Sequence, residues 1–307
     1  MKKWILGLLL SALVATAATE EQPAAQHGAR LQAVELQRAD VNGVSIAYRV
    51  LGEAGDPAVV MVMGLGGSHM LWGDGLPFEL ADAGYRVVLF DNRDVGGSQR
   101  FDAWGEPTLW WQFLKAEFGF EVDAPYDLAD MAADTIGLMD RLEIEQAHVV
   151  GASMGGMIAQ VIAARYPERL LSLVSIMSTP GFADDLPPSS PEAGGQLDDL
   201  ASGESGEDLT ARLHAMGLYP EAMPRQIMAI LRSGDRRDEV RTIRAPTLVL
   251  HGADDELIPP RHGEFTAELI DGARYVEFDG MAHDLPAAVL PAIVSDMVAH
   301  MSGIEAR

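Results

Sequence analysis

At 307 residues, with 48% hydrophobic side chains, the chain is long enough for one large domain or two ordinary ones around a sizeable core. Its 46 acidic and 22 basic side chains give a formal charge of −24, which repels phosphate backbones and anionic membranes and excludes nucleic acid as a natural partner. With no cysteine, disulfides, thiolate metal sites and thiol nucleophiles are excluded as well.

The chain opens on "MKKWILGLLLSALVATAATE", in which Lys2 and Lys3 precede an apolar stretch from Trp4 to about Val14. Ala15 and Ala17 then supply the small residues of a cleavage site before Ala18, so residues 1–17 read as a secretory signal peptide. The apolar stretch is shorter than the ~20 residues that a membrane span needs. The mature chain is therefore expected in the periplasm or outside the cell, with no stable membrane span. Residues 18–37 read as a polar tether, and a single domain is expected over 38–303.

From "NGVSIAYRV" onward, short apolar runs alternate with amphipathic segments. The runs lie at 58–63, 85–90, 147–152, 170–177, 245–252 and 273–278, and their near-continuous apolar character predicts strands buried on both faces of a parallel sheet. Helical spacing appears at about 75–84, 127–143, 154–166, 261–271 and 286–301. This alternation predicts an α/β fold with a mostly parallel twisted sheet flanked by helices. Two insertions interrupt it. One, about 99–126, carries "LWWQFLKAEFGF", whose aromatics either line a pocket, touch lipid or pack on the core. The other, about 179–244, starts rich in Pro, Gly, Ser and Asp, continues with helical spacing, and is expected to be a lid.

"AHVVGASMGGMIAQ" passes from a buried strand through Gly151, Ser153 and Gly155 into a helix. A sharp strand-to-helix turn exposes its central side chain, and flanking glycines let the two segments approach without Cβ clashes. A serine hydroxyl needs a base and a group to orient that base. Of the eight histidines, His283 in "DGMAHDLP" lies in a loop between the last strand and the last helix, where a base could reach over the sheet edge. The loop after another strand, "LVLHGADDELIPP", supplies the acid; Asp255 is preferred and Asp254 is its rival. An oxyanion needs two amide donors, expected at Met154 and at Leu65 in the glycine loop "MGLGGSH". Gly64, Gly66 and His69 of that loop are expected to wall the substrate pocket. The loop lacks dinucleotide and P-loop spacing, and the acidic clusters lack metal-binding spacing, so neither cofactor nor metal is expected.

"MGLGG", "DNRDVGGS", "GASMGG", "HGADDELIP" and "GMAHDLP", in this order, resemble the α/β-hydrolase superfamily over nearly everything after residue 38. The resemblance implies Ser153 as nucleophile, His283 as base and acid, Asp255 as orienting carboxylate, and Leu65 with Met154 as oxyanion donors. "MGLGG", "DNRD" and "HDLP" look most like the aclacinomycin methylesterase subgroup. The chain departs from many relatives in having Met63 before Gly64 in place of histidine, and Asp94 where glycine is common. Asp91 and Arg93 read as braces for loops near the site.

These features predict a cofactor-free serine esterase acting on a small-molecule carboxylic ester. Other acyl chemistry on the same residues stays open: lactone or amide hydrolysis, acyl transfer, carbon–carbon bond hydrolysis or perhydrolysis. The rival outside enzymes is a non-catalytic binding module of the same fold, against which the complete Ser–Asp–His set argues. The pattern carries no signal of oligomeric state.

Overall fold

The computed structural model describes residues 28–105, 107–181, 186–193 and 207–304. The expected signal peptide, residues 18–27 of the expected tether, and parts of the 179–244 insertion lie outside the described residues. The end of that tether is ordered. Ala29–Ala33 (α1) is a short helix that buries Leu31, and the Asp74 carboxylate accepts from the Arg30 and Leu31 amides at 3.0 and 2.9 Å.

Eight strands form one sheet in the order β1-β2-β4-β3-β5-β6-β7-β8. β1 (Gln37–Val41) and β2 (Val44–Leu51) form an antiparallel hairpin. Asn42 and Gly43 close it with φ of 47° and 77°, the left-handed pair that a two-residue turn requires to match the strand twist. β2 runs antiparallel to β4 (Arg86–Phe90), and every later pairing is parallel: β3 (Ala58–Val62), β5 (Ala147–Ala152), β6 (Leu170–Ile176), β7 (Thr247–Gly252) and β8 (Arg274–Phe278). Every residue of β3, β5, β6 and β7 is buried, as apolar runs covered on both faces must be, whereas the edge strand β8 is largely half-buried or exposed.

The two covering layers follow from the helix periodicity. α2 (Gly75–Asp82) lies on one face with the C-terminal helix Leu290–Met301, where Leu76, Leu80, Ile293 and Met297 pack on Val59, Val87 and Leu248. The other face carries α4 (Leu128–Arg141) and α5 (Met154–Arg165), with Met131, Leu138, Ile158 and Ile162 against Val60, Val88 and Val149. Fully burying each such side chain stabilises by about 1.5–3 kcal/mol. Asp127 caps α4 by accepting from the Asp130 amide while Asp130 reaches back to the Asp127 amide, a reciprocal box that satisfies two otherwise unpaired donors. The last helix starts at Leu290 rather than at 286. Starting there puts Pro291 in the first turn, where its missing N–H costs nothing; a start at 286 would place it in the helix interior.

Between β4 and α4 lies α3 (Leu109–Glu117). Between β6 and β7 lie α6 (Glu207–Met216), α7 (Met223–Ser233) and α8 (Arg237–Val240). α3 and α7 meet through Phe113, Met223, Ile227 and Leu231, joined by Leu213 and Leu218. The aromatic insertion therefore packs partly inward, while Trp104, Trp110, Trp111, Leu114, Phe118 and Phe120 remain exposed. No helix among the described residues is long and apolar enough to cross a membrane.

Candidate active site

The loops after β3, β5, β7 and β8 all leave the same, C-terminal edge of the sheet, where open α/β sheets place their ligands. Ser153 follows β5 directly and takes φ 55°, ψ −122°, a conformation that non-glycine residues rarely adopt. Its surroundings require glycine. A Cβ on Gly151 would fall 2.1 Å from the Gly155 carbonyl oxygen, and one on Gly155 would fall 2.0 Å from the Val62 carbonyl oxygen. The serine backbone is tied on both sides: its N–H donates to the Ile176 carbonyl at 2.9 Å, and its carbonyl accepts from Ser178 Oγ at 2.8 Å.

Ser153 Oγ lies 3.0 Å from His283 Nε2, and His283 Nδ1 lies 2.8 Å from Asp255 Oδ2. Asp255 is buried at the turn after β7, where its other oxygen accepts from the Leu257 and Ile258 amides, both at 2.9 Å. His251, the fifth residue of β7, is fully buried. Its Nε2 donates to the Ile258 carbonyl at 2.7 Å and lies 3.4 Å from Asp255 Oδ2, so it also abuts the carboxylate. Burial alone would raise the Asp255 carboxyl, but the attraction of His283 and hydrogen bonds from His251 and His283 hold it well below the usual carboxylate range. The rival Asp254 is exposed; its carboxylate accepts from the Gly280 amide at 3.2 Å instead of meeting a histidine.

The glycine loop after β3 lies against the serine. A Cβ on Gly64 would come within 3.0 Å of Ser153 Cβ. Among the described residues, the amides of Leu65 and Met154 donate to no protein acceptor, which leaves both available to a ligand oxygen. The other two expected pocket residues face elsewhere. Gly66 is covered by Met223, whose Cε would be 2.7 Å from an added Cβ. His69 is buried, with Nδ1 2.5 Å from Asp91 and Nε2 accepting from Arg49 Nε at 2.9 Å, so both ring nitrogens are engaged and it braces the loop instead of walling a pocket.

The loop after β4 supplies further braces, some foreseen and some not. Arg93 forks onto Asp134 with two 2.6 Å bonds, and Asn92 Nδ2 donates to the Met63 carbonyl at 2.8 Å. Asp94 occupies φ 78°, a conformation that glycine adopts freely and that asparagine and aspartate are among the side chains to tolerate. Here the carboxylate is buried and holds Arg225 of α7 at 2.6 and 2.9 Å, together with the Tyr126 hydroxyl at 2.8 Å. Beside this ion pair an open cleft of about 620 Å³ is lined by Gly96, Arg100, Asp102, Gly105, Glu221 and Arg225. It contains none of Ser153, His283 and Asp255.

Residues 57–237 match the protein family described as alpha/beta hydrolase fold. The chain is 28% identical to rhodomycin D methylesterase DnrP of Streptomyces peucetius, over 81% of this chain and 92% of that protein. It is 29% identical to the putative carbamate hydrolase RutD of Variovorax paradoxus, over 83% of this chain and 96% of that protein. Among solved structures, the enol-lactonase from Burkholderia xenovorans LB400 superposes with a TM-score of 0.66 at 25% identity, covering 87% of this chain and all of that one.

Proposed function

This chain belongs to the α/β-hydrolase fold family, and on that premise we propose that it hydrolyses carboxylic esters through an acyl-enzyme on Ser153. In this reading Ser153 Oγ attacks the ester carbonyl carbon and passes its proton to His283 Nε2. The carbonyl electron pair moves to oxygen, and the Leu65 and Met154 amides receive the resulting oxyanion. Collapse breaks the bond to the alkoxy oxygen, which leaves as the alcohol with the proton from His283. Water then attacks the acyl carbon, again losing a proton to His283, and the acid departs as Ser153 regains its hydrogen. Asp255 keeps the imidazole in the tautomer that offers Nε2 to the serine and stabilises its charged form.

The observation that carries the reading is the continuous relay of 3.0 and 2.8 Å from a serine at positive φ to a buried carboxylate. The methylesterase and carbamate hydrolase relatives support attack at a carbonyl carbon bearing a heteroatom leaving group. The proposal includes export to the periplasm or beyond, supported by the basic, apolar and small-residue pattern of residues 1–17. Fractionation followed by N-terminal sequencing tests that part.

A panel of p-nitrophenyl esters from acetyl to palmitoyl, run on wild type and Ser153→Ala with fluorophosphonate labelling in parallel, tests the chemistry. The expected result is turnover that falls to background in Ser153→Ala and a single label on Ser153. Undiminished turnover in that variant, or a label elsewhere, overturns the assignment. A lactone substrate added to the panel separates ester from lactone preference.

A further inference from the structure

We propose that Gln226, on the first turns of α7, is a positioning residue for the oxyanion loop, so that the insertion between β6 and β7 is part of the reaction framework and not only a cover. The proposal rests on the esterase reading above. Gln226 is fully buried, and its side-chain amide is used at both ends. Oε1 accepts from the Gly66 amide at 2.7 Å, and Nε2 donates to the Arg93 carbonyl at 3.2 Å. One side chain therefore clamps the loop after β3 to the loop after β4.

The consequence for Leu65 follows from peptide planarity, because a loop whose successive planes are each fixed leaves its free amides only one direction. The Met63 carbonyl is held by Asn92 at 2.8 Å. The Gly64 carbonyl, which shares a plane with the Leu65 N–H, accepts from the Gly67 amide at 3.2 Å. The next plane, between Leu65 and Gly66, is held by Gln226. The insertion adds backbone ties on the same residues: Tyr219 N donates to the Gly66 carbonyl at 2.7 Å, and Ser68 N donates to the Gly217 carbonyl at 2.8 Å. Gly66 sits at φ +65°, a conformation accessible to glycine and therefore one that something must select. An oxyanion donor acts through preorganisation, so freeing this plane lowers the rate more than it lowers ground-state binding.

The test compares Gln226→Met, which keeps the length but removes the acceptor, with Arg225→Met, which removes the helix's half of the buried ion pair with Asp94 without touching Gly66. For Gln226→Met the expected result is a fall in kcat of about 10- to 100-fold with KM within about threefold, and a matching loss of affinity for a boronic acid that mimics the tetrahedral oxyanion. Arg225→Met is expected to lower the melting temperature while keeping the ratio of boronate affinity to KM. An unchanged kcat and boronate affinity in Gln226→Met overturns the inference, as does an equal change of that ratio in both variants. Should Gln226→Met fail to fold, amide hydrogen exchange on the wild type decides: the Gly66 amide is expected to open only together with α7, and earlier opening overturns the role. A result in which Ser153→Ala retains turnover sinks the esterase reading instead, whatever Gln226 does.

Discussion

Among the described residues two buried histidines turn Nδ1 onto an aspartate, and the two pairs are built almost alike. His69 Nδ1 meets Asp91 at 2.5 Å and His283 Nδ1 meets Asp255 at 2.8 Å. Each carboxylate also accepts from two backbone amides: those of His69 and Gly97 on Asp91, and those of Leu257 and Ile258 on Asp255. The difference lies at the far nitrogen. The Nε2 lone pair of His69 is committed to the Arg49 Nε–H, whereas that of His283 faces a serine hydroxyl. In both pairs a carboxylate orients a buried imidazole, and the neighbour of the second nitrogen separates the bracing pair from the pair on which the proposed mechanism draws.

Substitutions can break this comparison at either pair. Asp255→Asn should lower kcat by about 10³–10⁴ by stabilising the wrong His283 tautomer, measured under saturating p-nitrophenyl ester. Asp91→Asn should leave kcat of the folded enzyme within about threefold but destabilise by roughly 2–4 kcal/mol in urea unfolding, because it weakens several buried hydrogen bonds at once. A large kcat loss in Asp91→Asn with unchanged stability would erase the distinction between the two pairs.

Two further buried imidazoles sharpen it. His148 reaches Ser172 Oγ at 2.8 Å, and His262 lies 2.9 Å from both Thr179 Oγ1 and the Pro187 carbonyl; neither is hydrogen-bonded to a carboxylate among the described residues. Burial pushes both down to about 4. Since the unfolded chain protonates near pH 6.5, acidification from there to about pH 4 favours unfolding, by up to roughly 3 kcal/mol per imidazole. The urea midpoint should therefore drop across that window, and His148→Gln should reduce the slope. Asp255, depressed by its histidine partners and not by burial, contributes stability that is present above about pH 4 and is lost as the pH falls further, a separate and more acidic limb. The smallest effect is expected from Asp254→Asn, within about twofold in kcat, because its carboxylate is solvated and among the described residues holds only the Gly280 amide.

What was legible in the sequence follows from how local each signal is. The buried strands announce themselves as apolar runs, and Ser153, Asp255 and His283 each sit within a few residues of a strand end, where chain order sorts the roles but leaves Asp254 as a rival to Asp255. Gln226 and Arg225 leave no such trace: Arg225 meets Asp94 across 131 residues, and nothing periodic joins them. His69 was visible as a loop histidine, but the direction of its ring depends on Arg49, which belongs to another strand. The expected lid is, in its described part, a tied element, because all residues from Met223 to Leu231 are buried and the segment before them is stitched to the glycine loop. Hydropathy also could not divide α3. Its apolar residues spread over more than half of the helix circumference and its buried pair is Phe113 with the polar Gln112, so the pattern does not tell that Phe113 turns inward and Trp110 and Trp111 outward.

That outward aromatic face has a consequence for the chain in solution. A formal charge of −24 makes copies repel one another, and the repulsion reaches about 10 Å at 0.1 M salt but only about 3 Å at 1 M. Trp110, Trp111, Phe118 and Phe120 are exposed, with no covering element among the described residues, so long-range charge is the force that opposes contact between this face on separate copies. Colloidal behaviour should invert the usual rule for surface ion pairs: added salt, by shortening the repulsion, should promote association through this face, and light scattering at rising ionic strength should register it.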